Sequence, residues 1–370
     1  MSELGARLRA AREAAEISLA AMASKAHYSK PYLSQLEGGT RKVKPEHVLA
    51  YSRALNIPVD LLYGQPRDPL RVAHAWLVAD TPSTRHQVSG RQVGRSLAAE
   101  VEQRVIDLRR LDDTVGGGDL APVVHRELAD LRTVVDSASY SADVGRRLLV
   151  AMGELSQLAG WAESDAGHYA AAQQAYVDGA SAADEAADPI LAAQLFSSLA
   201  YQMANVGNPS DALLLAKTAV KGAREASPVA KTLLLERVGW AAARSRDADL
   251  TRRMLVAVDD AYEARSAGIR EPDWVYWMSR DEIDVMAGRC WIEVGRPALA
   301  APLLQHAIDS YDVDHAREVA LYRTWLAESY ARAGEFDQAR TVIAQARGAS
   351  GTINSARLSS RVTEIEQLVS

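Results

Sequence analysis

Hydrophobic residues recur at intervals of three and four along most of this chain, which is the spacing of one face of an α-helix. The first such segment runs from Leu4 to Glu16, and from Ala121 onward one helical segment follows another. Runs of β-branched residues, which are typical of strands, are scarce. Aromatic residues make up only 6% of the 370 positions, and the dominance of Ala and Leu favours helix further. We therefore predict an all-α protein.

Capping residues divide the first 62 positions into five short helices. Ser18 and Ser29 stand at the N-cap positions of the second and third helices. The glycine pair at 38–39 ends the third helix. Pro45 opens the fourth, in whose first turn a proline is tolerated. A short fifth helix is predicted over 58–62.

Prolines and charge separate this N-terminal part from the rest of the chain. Two prolines within 65–69 interrupt any helix and indicate a linker. We predict a head over 1–64, a linker with connecting helices over 65–120, and a repeat domain over 121–370. The head carries nine Lys/Arg and six Asp/Glu, a net charge of +3, whereas the remainder carries −9. A basic head on an acidic body suits a protein whose head alone contacts phosphate.

Small residues recur with a fixed spacing between 121 and 347, which indicates an internal repeat. Each copy has a small residue, a Gly seven positions later and an Ala five positions after that. Two antiparallel helices pack closely only where their side chains are small, and the Gly starts the turn between them. Such units bury their apolar faces by stacking on one another. The copies begin at Gly160, Ala200, Gly288 and Ala327, with a weaker one around Gly239.

This spacing resembles the tetratricopeptide repeat, with helices longer than those of the usual unit. The resemblance implies a tetratricopeptide-like α-solenoid after the head. The alternative is a generic Ala-rich helical bundle, because Ala and Gly coincide easily in such a composition.

A short polar helix near position 32 carries the candidate DNA-binding chemistry. Apolar residues fall where two helices that cross steeply need contacts, and polar residues fall on the outer face of the third helix. Lys and Gln on such a face can donate hydrogen bonds to base edges in a major groove. The loop that follows supplies three cations for phosphates. These candidates are Ser29, Lys30, Ser34, Gln35, Arg41, Lys42 and Lys44.

From Leu4 to Leu62 the chain resembles the phage-repressor-like (XRE/Cro) family of helix-turn-helix domains. The blocks Tyr32–Gly39 and Ala54–Leu62 carry the resemblance. It implies a five-helix, lambda-repressor-like domain, and it adds Pro31 and Tyr32 to the candidate DNA contacts. The alternative is a small helical core whose charges are only solvated surface.

Two positions depart from the family pattern. The second helix of many relatives begins with a Gln that contacts DNA, where this chain has Leu19. Base recognition should therefore depend more on Lys30 and Gln35. The turn between the two helices usually holds a Gly, where this chain has His27. Since His is among the non-Gly residues that tolerate a left-handed conformation, we expect the turn to survive.

The first helix of each repeat is expected to line the concave face of the solenoid, and the inward positions include Ser197 and Glu328. Aromatic residues fall at equivalent positions in successive copies, with amide and guanidinium groups between them. Such a groove could hold an extended peptide or a small molecule; alternatively, the aromatics only fill the axis of the superhelix. The segment 273–277 is a second candidate, either a packing staple or a pocket wall. The ligand candidates are Trp161, Gln194, Tyr201, Asn205, Trp240, Arg244 and Arg289.

Other classes of chemistry find little support in the sequence. The one cysteine, Cys290, excludes an intrachain disulfide and a Cys-based zinc site, and the eight His do not cluster with carboxylates at metal spacing. The glycines at 116–118 lack the Lys-Ser/Thr of a phosphate loop. We expect no enzyme activity, cofactor or metal. Neither a signal peptide nor a membrane span is visible, so a cytoplasmic protein is expected.

The combined architecture resembles the helix-turn-helix plus tetratricopeptide regulators of Gram-positive bacteria called the RRNPP group. This resemblance implies a homodimer on a two-fold double-stranded DNA operator, and a signalling peptide or small molecule that alters its binding. Two alternatives stay open. One is a repeat scaffold that recruits partner proteins, and the other is an antitoxin-like partner with a helix-turn-helix head.

Overall fold

A computed structural model describes residues 3–15, 17–55, 62, 93–113, 117–311, 316–350 and 356–369. In those ranges the chain is built of α-helices and contains no β-strand, in agreement with the predicted all-α class. Its contacts divide it into two compact units, residues 1–68 and residues 69–370. None of its described helices combines the length and apolar character that crossing a membrane requires.

Four described helices form the head, and their ends follow the predicted capping residues. Ser18 accepts a hydrogen bond from the N–H of Ala21, and Ser29 accepts one from the N–H of Tyr32. Both serines thereby satisfy donors that a helix start leaves free. Of the predicted fifth helix only Leu62 is described; positions 58–61 lie outside the described residues. The helices are α1 (Glu3–Ala14), α2 (Leu19–Lys25), α3 (Lys30–Glu37) and α4 (Pro45–Leu55).

The turn between α2 and α3 tolerates the replacement of the usual glycine. His27 has a φ of +57°, which lies in the left-handed region. Its side chain is exposed, so it does not disturb the core that forms around it. That core contains Leu8, Met22, Leu33 and Leu36, all without solvent exposure. The expectation for this turn is therefore confirmed.

The second unit is a succession of helices in which antiparallel pairs stack on their neighbours. Each of the five predicted copies corresponds to one pair: the small residue lies in the first helix and the Gly or its equivalent in the turn. The helices are α5 (Arg95–Asp112), α6 (Gly117–Ser137), α7 (Ala142–Asp165), α8 (Tyr169–Glu185), α9 (Pro189–Val206), α10 (Pro209–Gly222), α11 (Pro228–Arg244), α12 (Ala248–Glu263), α13 (Arg280–Glu293), α14 (Pro297–Ser310), α15 (Ala316–Arg332), α16 (Phe336–Ser350) and α17 (Ala356–Leu368).

Close packing explains the small residues at the start of each copy. A Cβ atom on Gly160 would lie 2.5 Å from the ring of Tyr176, and one on Gly288 would lie 2.9 Å from Cγ of Leu304. Both distances are shorter than van der Waals contact. The pairs therefore depend on glycine for the approach of their helices, as the repeat interpretation predicts.

Parts of the predicted linker belong to the second unit. Helix α5 packs on α7, and α6 packs on both of them. The domain boundaries at 64 and 120 stay predictions, because most of 56–92 lies outside the described residues. Between α12 and α13 the longer interval holds a short 3-10 helix, Asp273–Val275.

Candidate functional site: a polar helix and two cavities

Helix α3 presents a polar face to solvent and an apolar face to the core of the head. Lys30, Ser34 and Gln35 are exposed, whereas Leu33 and Leu36 are fully buried. The alternation follows the helical period, so the exposed residues form one continuous strip. Ser29 and Pro31, at the start of the helix, are exposed as well.

A buried ion pair attaches the C-terminal end of α3 to the rest of the head. Nε and Nη2 of Arg12 each donate a hydrogen bond of 2.7 Å to a different oxygen of Glu37. The hydroxyl of Tyr51 donates a third, 2.8 Å long, to the same carboxylate. The hydrogen bonds to Glu37 raise the pKa of Arg12 above its ordinary value, although burial alone would lower it. These residues connect α1, α3 and α4.

Tyr32 differs from the other predicted DNA contacts because it is half-buried and already engaged. Its ring stacks on that of Tyr28 with centroids 5.2 Å apart. The backbone N–H of Lys44 donates a hydrogen bond to Nδ1 of His47, so the ring proton of His47 lies on Nε2. Nε2 in turn donates a 2.9 Å hydrogen bond to the hydroxyl of Tyr32. The guanidinium of Arg41 lies 4.3 Å above the Tyr32 ring. Tyr32 therefore positions a cation beside α3.

The three loop cations lie next to the end of α3. Arg41, Lys42 and Lys44 are exposed. The backbone N–H of Arg41 and the hydroxyl of Thr40 both donate to the carbonyl of Gln35, over 3.1 and 3.2 Å. The loop is thereby folded back onto the helix, which brings its positive charge beside the polar strip.

The ligand candidates of the repeat unit come together in space. The rings of Trp161 and Tyr201 stack at 5.9 Å, and those of Tyr201 and Trp240 lie 6.4 Å apart. The guanidinium of Arg289 lies 4.1 Å from the ring of Trp240 and an equal distance from that of Trp325. It also donates a 2.7 Å hydrogen bond to the Tyr201 hydroxyl.

Two cavities border this stack. The smaller has a volume of about 310 Å³ and contains Asn205, Trp240 and Arg244 in its wall. The larger has a volume of about 550 Å³ and contains Gln194 in its wall. Trp161, Tyr201, Arg289 and Trp325 line both. The predicted residues therefore both pack against each other and border open space.

Hydrogen bonds hold the polar candidates in place. Nε1 of Trp240 donates a 3.1 Å hydrogen bond to the amide oxygen of Asn205. Arg244 donates to the carbonyl of Ala204 and to the carboxylate of Glu293, over 3.0 and 2.9 Å. Each bond joins two neighbouring first helices, so the wall of the smaller cavity is held together across α9, α11 and α13.

One residue expected on the concave face, Ser197, lines neither cavity. Ser197 is fully buried, and its hydroxyl donates to the backbone and side-chain oxygens of Gln194 within α9. Ser198 lines the larger cavity in its place. Adjacent residues of a helix point about 100° apart, so an error of one position in the predicted register turns a cavity-lining residue into a core residue.

The sequence did not predict the part of the larger cavity's wall that α13, α14 and α15 form. The carboxylate of Glu282 accepts hydrogen bonds from the hydroxyls of Tyr311 and Tyr322. Trp325 would have been found by stepping one helical turn back from the predicted lining position Glu328. The two tyrosines and Glu282 gave no signal, because they meet only through the packing of α13, α14 and α15.

The 273–277 segment is both a packing element and a wall. Trp274 is 4% exposed within the main core, and Trp277 lines the larger cavity. Asp273 accepts hydrogen bonds from Arg109 and Arg110 of α5, 2.7 and 2.9 Å long. The guanidinium of Arg110 lies 3.3 Å over the Tyr276 ring. We call this set of contacts the α5 clasp.

Comparisons with known proteins agree with the geometry of the head. Residues 3–62 match a family described as a helix-turn-helix domain. Two uncharacterized HTH-type transcriptional regulators, from two strains of Mycobacterium tuberculosis, are each 32% identical over 88 residues, 22% of this chain. The chain spans 62% of the length of these relatives. The N-terminal unit is therefore a helix-turn-helix domain.

A solved structure resembles the chain only distantly. The crystal structure of Bacillus thuringiensis PlcR in complex with the peptide PapR7 and DNA is 9% identical in sequence. The alignment covers 92% of this chain and 99% of that one, with a TM-score of 0.33. A likeness of this degree is too low to establish a shared fold or function.

Proposed function

We propose that this chain is a sequence-specific DNA-binding transcription regulator that acts in the cytoplasm as a homodimer. In this proposal α3 enters the major groove, with Lys30 and Gln35 donating to base edges. Ser29, Pro31, Ser34 and the three loop cations lie along the sugar–phosphate backbone. The observation that carries the proposal is the exposed polar strip of α3 within a helix-turn-helix domain.

Electrostatics support this use of the head. The acidic residue nearest the strip in sequence, Glu37, is 4% exposed and bonded to Arg12. The cations around α3 are exposed. An approaching phosphate backbone therefore meets positive charge, which favours association and makes it dependent on salt.

The repeat unit is proposed to bind a peptide or small-molecule signal in the cavities beside Tyr201. Their volumes fall within the range of about 300–1,000 Å³ that is usual for ligand sites. Aromatic walls provide contact area, and Gln194, Asn205, Arg244 and Arg289 provide hydrogen-bonding groups. Such a signal would change DNA binding only if it binds one conformation better than another.

Selection of bound sequences from a random pool of duplex DNA tests the proposal. We expect the full chain to enrich a two-fold symmetric sequence, since a symmetric dimer presents two equivalent helices. Sedimentation of the chain with the selected duplex should give two chains per duplex. Failure to enrich any sequence at low ionic strength would contradict the proposal, and one chain per duplex would contradict the dimer.

A further inference from the structure

The larger cavity contains an unsatisfied carboxylate oxygen. Glu236 is 2% exposed and lies in the cavity wall. Its Oε1 accepts a 3.1 Å hydrogen bond from Arg237, whereas Oε2 has no hydrogen-bond partner. A buried carboxylate oxygen without a donor is costly, which makes it unusual in a protein interior. It therefore indicates a donor that enters from the cavity.

The balance of charge in the wall indicates the sign of that donor. Seven carboxylates line the larger cavity against three arginines. One of the three, Arg109, is bonded to Glu154 and Asp273, neither of which borders the cavity. The wall is thus acidic, and a cation entering it would lower the electrostatic free energy.

Aromatic rings around Glu236 suit a cation as well. Tyr201 already carries one guanidinium 4.3 Å from its ring, that of Arg237, in the same wall. Trp274, Trp277 and Tyr322 also line the cavity. Cations are attracted to the faces of such rings, and more strongly where water is excluded.

We propose that the larger cavity binds an organic amine cation, with the nitrogen donating to Oε2 of Glu236 and its apolar body between the aromatic walls. This inference rests on the proposed ligand-binding role of the repeat unit and specifies the class of ligand. Burial raises the pKa of Glu236, against the influence of Arg237 and Arg289. An ammonium group next to Oε2 would favour the charged form of this carboxyl, as Arg237 and Arg289 already do.

Two groups of the wall favour the opposite charge. Nε of Arg109 and Nε of Arg237 are both buried without an acceptor, and both would suit a carboxylate ligand. Three indole probes of similar shape separate the two: tryptamine is a cation, tryptophol is neutral and indole-3-propionate is an anion. Calorimetric titration of the full chain should give a dissociation constant for tryptamine at least about tenfold below those of the other two.

Variants locate the preference at Glu236. Glu236→Gln should weaken tryptamine binding about tenfold and leave tryptophol binding unchanged, since the amide keeps the shape and loses the charge. Glu225→Gln, an exposed residue of the same unit, is the matched control and should bind like the parent chain. The ranking of probes on the parent chain is informative even if Glu236→Gln fails to fold.

Several outcomes would overturn the proposal. They are tighter binding of indole-3-propionate, equal binding of all three probes, no binding by any of them, or an unchanged preference in folded Glu236→Gln. Selection of duplex DNA with the same preparations keeps the two proposals apart. A chain that enriches a DNA sequence but ignores tryptamine refutes only the amine site, whereas the reverse result refutes only the regulator role.

Discussion

The guanidinium of Arg12 and the carboxylate of Glu37 form two hydrogen bonds of equal length, 2.7 Å, inside the head. Glu37 is the last residue of α3, and Arg12 lies in α1. Two parallel bonds between planar groups fix orientation as well as distance. The pair therefore sets the direction in which α3 projects, and with it the direction of the proposed DNA-binding strip.

Breaking this pair should destabilise the head. Glu37→Gln leaves the Arg12 charge buried without its counter-charge, at a cost of about 3 kcal/mol in the free energy of unfolding. Urea unfolding followed by circular dichroism measures this cost. Glu13→Gln is the matched control, because Glu13 is half-exposed, pairs with Arg9 at 2.8 Å and reaches Arg12 only at 3.4 Å, so a much smaller change is expected. Equal effects of the two substitutions would contradict the role assigned to Glu37.

Replacing Lys30 and Gln35 with Ala should abolish preference for the selected DNA sequence. Both side chains are exposed, so the fold should be retained. Each good contact to a base is worth about 1–3 kcal/mol of discrimination. Competition binding with specific and scrambled duplexes measures the ratio. If the double variant keeps the ratio of the parent chain, α3 is not the reading helix.

The loop cations should govern affinity for all sequences alike. Arg41, Lys42 and Lys44 replaced with Ala should reduce the slope of log affinity against log salt by about 5 for a dimer, because it loses about six phosphate contacts and each contributes about 0.9. Titrations at several salt concentrations give the slope. The charge-matched control replaces three exposed cations of the repeat unit, Lys217, Arg252 and Arg253, and should leave the slope unchanged. A shared reduction would show that only net charge matters.

Stability of the last repeat should depend on pH through Glu328. Burial raises the pKa of this carboxyl, but Arg361 and Arg332 outweigh it and hold the pKa below its ordinary value of 4.5. A carboxylate with a lowered pKa stabilises the fold above its unfolded pKa, and this contribution is lost as the pH falls below about 5. Thermal unfolding across that range should show the loss, and Glu328→Gln should flatten it. The same curve for the parent chain and the variant would refute the assignment; exposed Glu335→Gln is the control.

The α5 clasp should restrain α5, the first described helix of the second unit. Asp273→Asn removes the charge that Arg109 and Arg110 share, so the amides of α5 should exchange with solvent faster. Hydrogen exchange with mass spectrometry reads out peptides of this helix. Asp249→Asn, at a residue whose side chain is 84% exposed, is the matched control and should leave exchange unaltered. Protection of α5 equal to that of the parent chain would show that Asp273 contributes nothing there.

Local signals predicted the head and the repeat well. Ser18 and Ser29 mark helix starts because their hydroxyls accept hydrogen bonds from nearby backbone N–H groups. Pro45 marks one because its ring fixes φ and its missing N–H is not needed there. The recurrence of Gly160 and its equivalents is visible in the sequence because each helix pair needs small residues at fixed distances. Such features are written in short stretches of sequence, so a single chain is enough to find them.

Contacts between distant residues were not predictable in the same way. Arg12, Glu37 and Tyr51 are separated by 25 and 14 positions, and nothing in their spacing shows that they meet. Glu236 lies 35 positions after Tyr201, and nothing in their spacing shows that they border one cavity. The lining residues on the first helix of each pair were predictable because they recur with the helical period. The residues that α13, α14 and α15 contribute were not, because their meeting depends on how the helix pairs stack.

The α5 clasp also has a consequence for the order of synthesis. Asp273 lies 164 positions after Arg109, so its carboxylate leaves the ribosome roughly ten to thirty seconds later. The helix-turn-helix unit, which spans residues 1–68, is complete long before then. During that delay Glu154 can already pair with Arg109, and the larger cavity lacks the wall that residues from 274 onward contribute. A nascent chain therefore carries a finished DNA-binding head well before it carries a finished ligand site.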